Sequence, residues 1–174
     1  MKAVRFVFRW WALFAALAAV AMLAAAHGFE RFADLPPCPL CLKQREVYWA
    51  ALAIAAPSAL WSLIVRRRNT PRLAAFLLFA VFAAGAVTAG FHAGGELKWW
   101  ELPATCLGAT EAVSLQDMQA FLGGESQRAP SCGEIAWSWG GLSMAAWNAL
   151  ISAVLSLASL VAAMRPKDAR APRP

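Results

Sequence analysis

Two cysteines, Cys38 and Cys41, stand two residues apart in the stretch "PPCPLCLKQREVYW", among prolines at positions 36, 37 and 39. A disulfide between such close neighbours closes a very small ring. It removes little chain entropy and makes a poor structural staple. Vicinal pairs of this kind typically do redox chemistry, with one thiolate favoured. The prolines make the approach extended and stiff. Pro39 suits the first position of a helix, where a missing N–H costs nothing. Cys41 then falls in the first turn, near unpaired backbone N–H groups and the positive end of the helix dipole. Arg45 follows at i+4, on the same face. Both effects favour thiolate over thiol at Cys41.

Two more cysteines, Cys106 and Cys132, lie far downstream. A disulfide between them closes a loop of about 27 residues and contributes roughly 3–4 kcal/mol in the chain-entropy model. A structural staple therefore suits this pair better than the first. Sequence alone permits three pairings, of which pairing within each loop is the simplest. A four-cysteine zinc site is the metal alternative, but its usual form is twin C-x-x-C pairs. Here the second pair is widely spaced, and the chain's two histidines are His27 and His92.

Electrons that leave a thiol pair need an acceptor. The chain has no G-x-G-x-x-G, no C-x-x-C-H and no room for a flavin domain. What remains is a molecule dissolved in a bilayer. A lipid-soluble quinone suits a site at a helix end, with Arg45 near its carbonyl oxygens.

The elements that must carry these groups are apolar. Of 174 residues, 60% are hydrophobic and 15% charged, against about 45–50% and about 25% for soluble domains. Uncharged runs extend over 10–29, 47–65, 73–95 and 135–164. About 20 residues at 1.5 Å rise cross a hydrocarbon core. The runs do not alternate polar with apolar residues, which argues against a barrel. The expected fold is an all-α integral membrane four-helix bundle with spans at 10–27, 46–65, 73–92 and 142–164. Segments 1–9, 66–72 and 165–174 lie on one side, and loops 28–45 and 93–141 on the other. The first three segments hold eleven of the sixteen basic residues, so the positive-inside rule makes that side cytoplasmic. The net charge of +6 is explained by topology and needs no nucleic acid. The N-terminus also has features of a secretory signal, but its apolar core is too long, and an uncleaved span is expected.

All four cysteines then face the oxidising side, where disulfides persist. In the second outer loop, "TEAVSLQDMQAFLGG" is expected to form a short amphipathic surface helix, with Leu115, Met118 and Leu122 on one face. The tryptophans of "KWWELP" and "AWSWGG" are expected as interfacial anchors.

With "PCPLCLKQR" in the first outer loop, a distant cysteine pair in the second, "AGFHAGGELKWWELPATC" and "PSCGEIAWSWGGLSMAAWN", the chain resembles the DsbB family of bacterial disulfide bond formation proteins over nearly its whole length. The DsbA–DsbB–quinone system keeps the bacterial periplasm oxidising. The resemblance implies an inner-membrane thiol:quinone oxidoreductase with both termini cytoplasmic. Its partner would be a DsbA-like periplasmic thiol oxidase, and its acceptor ubiquinone or menaquinone. The catalytic cysteines would be Cys38, Cys41, Cys106 and Cys132. The partner would attack the Cys106–Cys132 disulfide at Cys106, Cys132 would pass electrons to Cys38, and Cys41 would face the quinone. Arg45 matches the family's arginine, His92 a histidine expected to donate to quinone, and Gln44 a position where some members carry Glu. Two other readings compete. A vitamin K epoxide reductase-like enzyme also couples C-x-x-C to quinone, but there the vicinal pair usually follows the loop pair. A membrane scaffold or metal-binding protein with structural disulfides is the non-enzymatic one.

Overall fold

The structure is a computed structural model that describes residues 2–65, 70–103, 106 and 131–165, with side chains from residue 6 onward. The helices are α1 (Lys2–Arg9), α2 (Trp11–Phe32), α3 (Pro39–Ile64), α4 (Arg72–Glu96) and α5 (Met144–Met164). A two-residue hairpin, β1 (Ser138–Trp139) and β2 (Leu142–Ser143), leads into α5. Gly140 and Gly141 both have positive φ, at 59° and 80°. A two-residue hairpin turn that follows strand twist needs φ above zero at both positions, which glycine supplies without strain.

Helices α2 to α5 are each long and apolar enough to cross a membrane, so the protein is an all-α integral membrane protein. The bundle is packed in sequence order, α2 against α3, α3 against α4, and α4 along α5. Small residues face inward: Ala15, Ala19, Ala51 and Ala55 are fully buried around Leu78 and Phe82. Bulky ones face outward, among them Leu17, Trp61, Val87 and Leu157. Lipid tails are as apolar as leucine, so burial gives little drive for helices to associate in a bilayer, and close backbone approach through small residues takes its place. At Gly85 a Cβ would sit 2.8 Å from Val47 Cγ1 and 3.3 Å from Ser152 Oγ; only glycine lets α4 come this near α3 and α5.

The buried face of α5 is Ala145, Asn148, Ser152, Ser156, Ser159 and Ala162. Its hydroxyls are paired, as a low dielectric demands. Ser159 bonds back to the Leu155 carbonyl at 2.7 Å and accepts from the Trp11 indole at 2.9 Å. That bond closes the end of the bundle where Arg165 stacks 4.4 Å from the Phe8 ring and Arg72 donates to the Arg165 carbonyl.

Three of the helices overrun the expected spans, while α5 begins two residues inside its own. α2 continues to Phe32, α3 starts at Pro39, and α4 continues to Glu96. Apolar runs measure only the hydrocarbon crossing, whereas helical hydrogen bonding continues into the interface until something stops it. The connection between α2 and α3 is therefore only residues 33–38. The expected amphipathic helix, the Arg66–Arg68 basic cluster and most of the C-terminal tail lie outside the described residues.

Candidate redox site

The prolines build the first half of the site. Pro39 occupies the first helical position of α3, and Cys38, restricted by the proline after it, is extended at φ −75°, ψ 166°. That makes Cys38 the N-cap. Its Sγ accepts from the Cys41 backbone N–H at 3.2 Å, and the two sulfurs lie 2.7 Å apart, close enough for one thiol to donate to the other. Cys38 is 3% exposed, while Cys41 is half-buried. The Cys38 thiol is pushed well above the usual thiol range, first by the hydrogen bond with Cys41 and then by burial. The bond from the Cys41 N–H pulls the other way and is outweighed.

The second half comes from α4 and the segment before the hairpin. His92 sits in the last turns of α4, buried, with Nε2 3.8 Å from Cys38 Sγ and 3.1 Å from the Cys132 carbonyl oxygen. Cys132 is fully buried, and its N–H donates to the Cys106 carbonyl at 2.8 Å. Cys38, Cys106 and Cys132 form one buried cluster, against which Cys41, Leu40 and Leu102 pack. The Lys98 ammonium donates to the Gly133 carbonyl at 2.7 Å and ties this segment to the end of α4. At Gly94 a Cβ would fall 2.1 Å from the Trp100 ring. Glycine there lets Trp100 fold back on α4, donate to the Phe91 carbonyl and stack on the Phe91 ring.

Beside the sulfurs is a cavity of about 300 Å³. Its polar end carries Cys41, Gln44, Arg45, His92 and Glu96; its walls include Met22, Phe29, Trp137 and Ile151. A small, mostly apolar cavity with a few convergent polar groups is the ordinary form of a small-molecule site. α2 and α5 touch little; they meet at the far end through Trp11 and Ser159, while here the cavity lies between them. Arg45 is 15% exposed and is held by Glu30 at 2.5 Å and the Ala26 carbonyl at 3.1 Å. Glu96 is 6% exposed, 3.8 Å from His92 Nε2, and accepts from the Ser143 hydroxyl. A run of buried contacts leads away from the histidine: Gln44 Nε2 at 2.9 Å from Nδ1, Gln44 Oε1 to Asn148 Nδ2, Asn148 Oδ1 to the Tyr48 hydroxyl, and that hydroxyl to Ser152 at 3.0 Å. Cys38, His92 and Cys132 have donor atoms within 4.8 Å of one another, the chemistry of a thiophilic cation site, but Nε2 is already committed to the Cys132 carbonyl.

The family model for disulfide bond formation protein DsbB matches residues 8–162. The chain belongs to the DsbB family. A relative from Pseudomonas putida (strain KT2440), disulfide bond formation protein B 2, is 30% identical over 162 residues, covering 85% of this chain and 88% of that one. No solved structure matches. Membership makes the protein a disulfide oxidoreductase of disulfide bond formation.

For this DsbB-family chain, five of the seven residues named from sequence line one cavity: Cys38, Cys41, Gln44, Arg45 and His92. Cys132 meets them through His92 and Cys38, and Cys106 packs behind Cys132. Arg45 reaches the cavity already paired with Glu30, a partner no spacing rule pointed to. Glu96, Tyr48 and Asn148 were not foreseen. A signal existed for two of them. Asn148 is an amide inside an apolar run, and polar groups at membrane depth mark function. Glu96 follows His92 at i+4, on the same helix face. The Gly-Gly pair at 140–141 was likewise a readable hairpin signal.

Proposed function

We propose that the protein is a membrane thiol:quinone oxidoreductase that reoxidises a DsbA-type periplasmic dithiol oxidase. It would work in the bacterial inner membrane with both termini cytoplasmic, as the basic segments suggest. The observation that carries this reading is that Cys38 lies against Cys132 and, with Cys41, also lines the cavity between α2 and α5.

The steps within the chain are thiol–disulfide exchanges. A partner thiolate attacks the Cys106–Cys132 disulfide at Cys106, the partner's second thiol resolves the mixed disulfide, and Cys106 and Cys132 are left as a dithiol. The Cys132 thiolate then attacks Cys38 of the Cys38–Cys41 disulfide, Cys41 leaves as thiolate, and Cys106 resolves the bond to Cys132. Leaving is faster from the sulfur with the lower pKa, which suits Cys41 in the first turn of a helix. Two electrons have then moved from the second pair to the first.

The cavity fits a quinone headgroup by its apolar walls and by the donors at its polar end. A bound ubiquinone or menaquinone supplies there an acceptor for two electrons and two protons. Cys41 and Arg45 reach that end, and Arg45 is the group to meet a carbonyl oxygen. Glu96 is the buried carboxylate among the described lining residues, 3.8 Å from the His92 Nε2 that also meets Cys38 Sγ; in this reading it receives the proton that leaves the Cys38 thiol. Gln44, an amide, can position but cannot exchange that proton.

The test is direct. Purified protein in lipid nanodiscs with ubiquinone or menaquinone is mixed with a reduced DsbA-type dithiol. Catalytic oxidation of the dithiol is expected. No turnover with either quinone, while both disulfides remain intact, overturns the reading in favour of a scaffold.

A further inference from the structure

His92 stands between the two cysteine pairs and is 4% exposed. A buried charge is costly, so the ring is taken as neutral, and for a neutral ring the direction of its hydrogen bonds is fixed from outside. A carbonyl oxygen can only accept. The Cys132 carbonyl lies 3.1 Å from Nε2, so Nε2 carries a proton. In the neutral ring Nδ1 is then an acceptor, and it faces Gln44 at 2.9 Å. Gln44 must turn its NH₂ to the ring and its Oε1 to Asn148. Asn148 must donate through Nδ2 and accept through Oδ1 from the Tyr48 hydroxyl. Ser152 meets the other side of that hydroxyl at 3.0 Å. Every group in the chain then has a partner of the right kind, and no described buried side-chain nitrogen or oxygen is left without one.

The opposite polarity fails at one point. If Nδ1 carried the proton in the neutral ring, Gln44 and Asn148 could both turn over and remain satisfied. The Cys132 carbonyl would then face the Nε2 lone pair at 3.1 Å. Lone pair against lone pair in a buried site carries the cost of an unmade bond, about 1–3 kcal/mol.

We infer that Tyr48, Asn148 and Gln44 are positioning residues that lock His92 as the neutral Nε2–H tautomer, so that it acts on the sulfur relay as a fixed hydrogen-bond donor and not as its base. This rests on the relay proposed above. Nε2 lies 3.1 Å from the Cys132 carbonyl, 3.8 Å from Cys38 Sγ and 3.8 Å from Glu96 Oε1. It can steady a thiolate that forms at Cys38 during exchange without adding a permanent charge. Because the ring's other nitrogen is taken by Gln44, His92 has no free lone pair for a thiol proton, and the carboxylate of Glu96 is left for that task.

Only two histidines exist in the chain, so the test is clean. Protein labelled with ¹⁵N-histidine, reduced and free of quinone, is examined by two-bond ¹H–¹⁵N correlation, with His27→Gln used to assign His92. Wild type is expected to show His92 protonated at Nε2 alone. Gln44→Glu sets an acceptor opposite Nδ1 and is expected to move protonation to that nitrogen or add it there. Tyr48→Phe, which removes one hydroxyl, and Asn148→Leu, which removes the amide, are expected to yield a mixture of tautomers. Wild-type His92 found as the Nδ1–H form or as the cation overturns the lock, as does a spectrum unchanged in all three variants. The readout needs no turnover. Failed quinone reduction beside an intact Nε2–H signal counts against the proposed function alone, while brisk turnover beside the wrong tautomer counts against the lock alone.

Discussion

The two cysteine pairs sit in one cluster but are held by different physics. Cys38 and Cys41 belong to the end of a helix. Pro39, the N-cap conformation and the Leu42 N–H bond to the Cys38 carbonyl at 3.1 Å set their backbone. Cys132 lies outside the helices and is placed by individual hydrogen bonds to Cys106, His92 and, through Gly133, Lys98. In the proposed relay the difference has a purpose. A pair that meets a small molecule gains from rigidity, because a fixed thiolate keeps its alignment with whatever enters the cavity. A pair that exchanges with a folded partner protein must be able to leave its place, and a segment held by single bonds opens at lower cost than a helix.

The strongest way to break this comparison is Cys41→Ser. It is expected to bring quinone reduction to background while Cys106 still traps a DsbA-type partner as a mixed disulfide. The measurements are quinol formation by absorbance and trapped complex on a non-reducing gel. Equal loss of trapping would mean that the two pairs do not divide the work.

Within the first pair the contrast is again sharp. The Cys38 proton is held by the Cys41 hydrogen bond and by burial. A raised pKa keeps the thiol form below that pKa, and only the thiolate alkylates. In reduced protein treated with iodoacetamide from about pH 6 to about pH 9, a span that brackets the usual thiol value near 8.5, Cys41 is expected to take the label and Cys38 to stay protected. Peptide mass spectrometry reads the outcome, and Cys38 labelled first at neutral pH would reverse the assignment.

The same division explains what could be read from the sequence. The helix-borne half was legible. "CPLC" before an apolar run implies a proline-started helix with a thiol in its first turn, and the structure has that local geometry. The four apolar runs gave four helices because hydrocarbon thickness acts on each segment independently. The other half was not. That Cys132 lies against His92 and Cys38 depends on contacts 40 and 94 residues apart in the chain, one through a backbone carbonyl and one between sulfurs, and neither has a sequence signature. The partnership of Arg45 with Glu30 depends on the crossing of α2 and α3. Tyr48 and Asn148 meet across a separation of 100 residues. Patterns with periods of two to four residues carry none of this.

Arg45 belongs to the rigid half, so its removal is expected to act on the small molecule and not on exchange between the pairs. Arg45→Ala leaves Glu30 without its partner and takes a donor from the cavity. The expected result is an apparent quinone KM raised about tenfold, equivalent to about 1.4 kcal/mol, with the rate of electron transfer from the second pair to the first unchanged in single-turnover thiol trapping. An unchanged KM with slowed exchange would move Arg45 to a role in tuning the Cys41 thiolate.

Lys98→Met gives the smallest effect and the most selective one. The Lys98 backbone is left-handed, with φ 60°, and the side chain is exposed apart from its bond to the Gly133 carbonyl. Methionine keeps much of the stem and removes the donor. Losing one such bond costs about 1 kcal/mol, which corresponds to roughly a fivefold rise in local opening. The place to look is the Cys132 N–H, bonded to the Cys106 carbonyl, by native-state hydrogen exchange. Its exchange should quicken by about that factor, while the Leu42 N–H in the first turn of α3 should not change. If both amides quicken together, the cysteine cluster opens as one unit and the contrast between a helix-held and a segment-held pair is wrong. If neither does, Lys98 does not anchor Cys132, and the second pair owes its position to the buried packing of Cys106 and Leu102 around it.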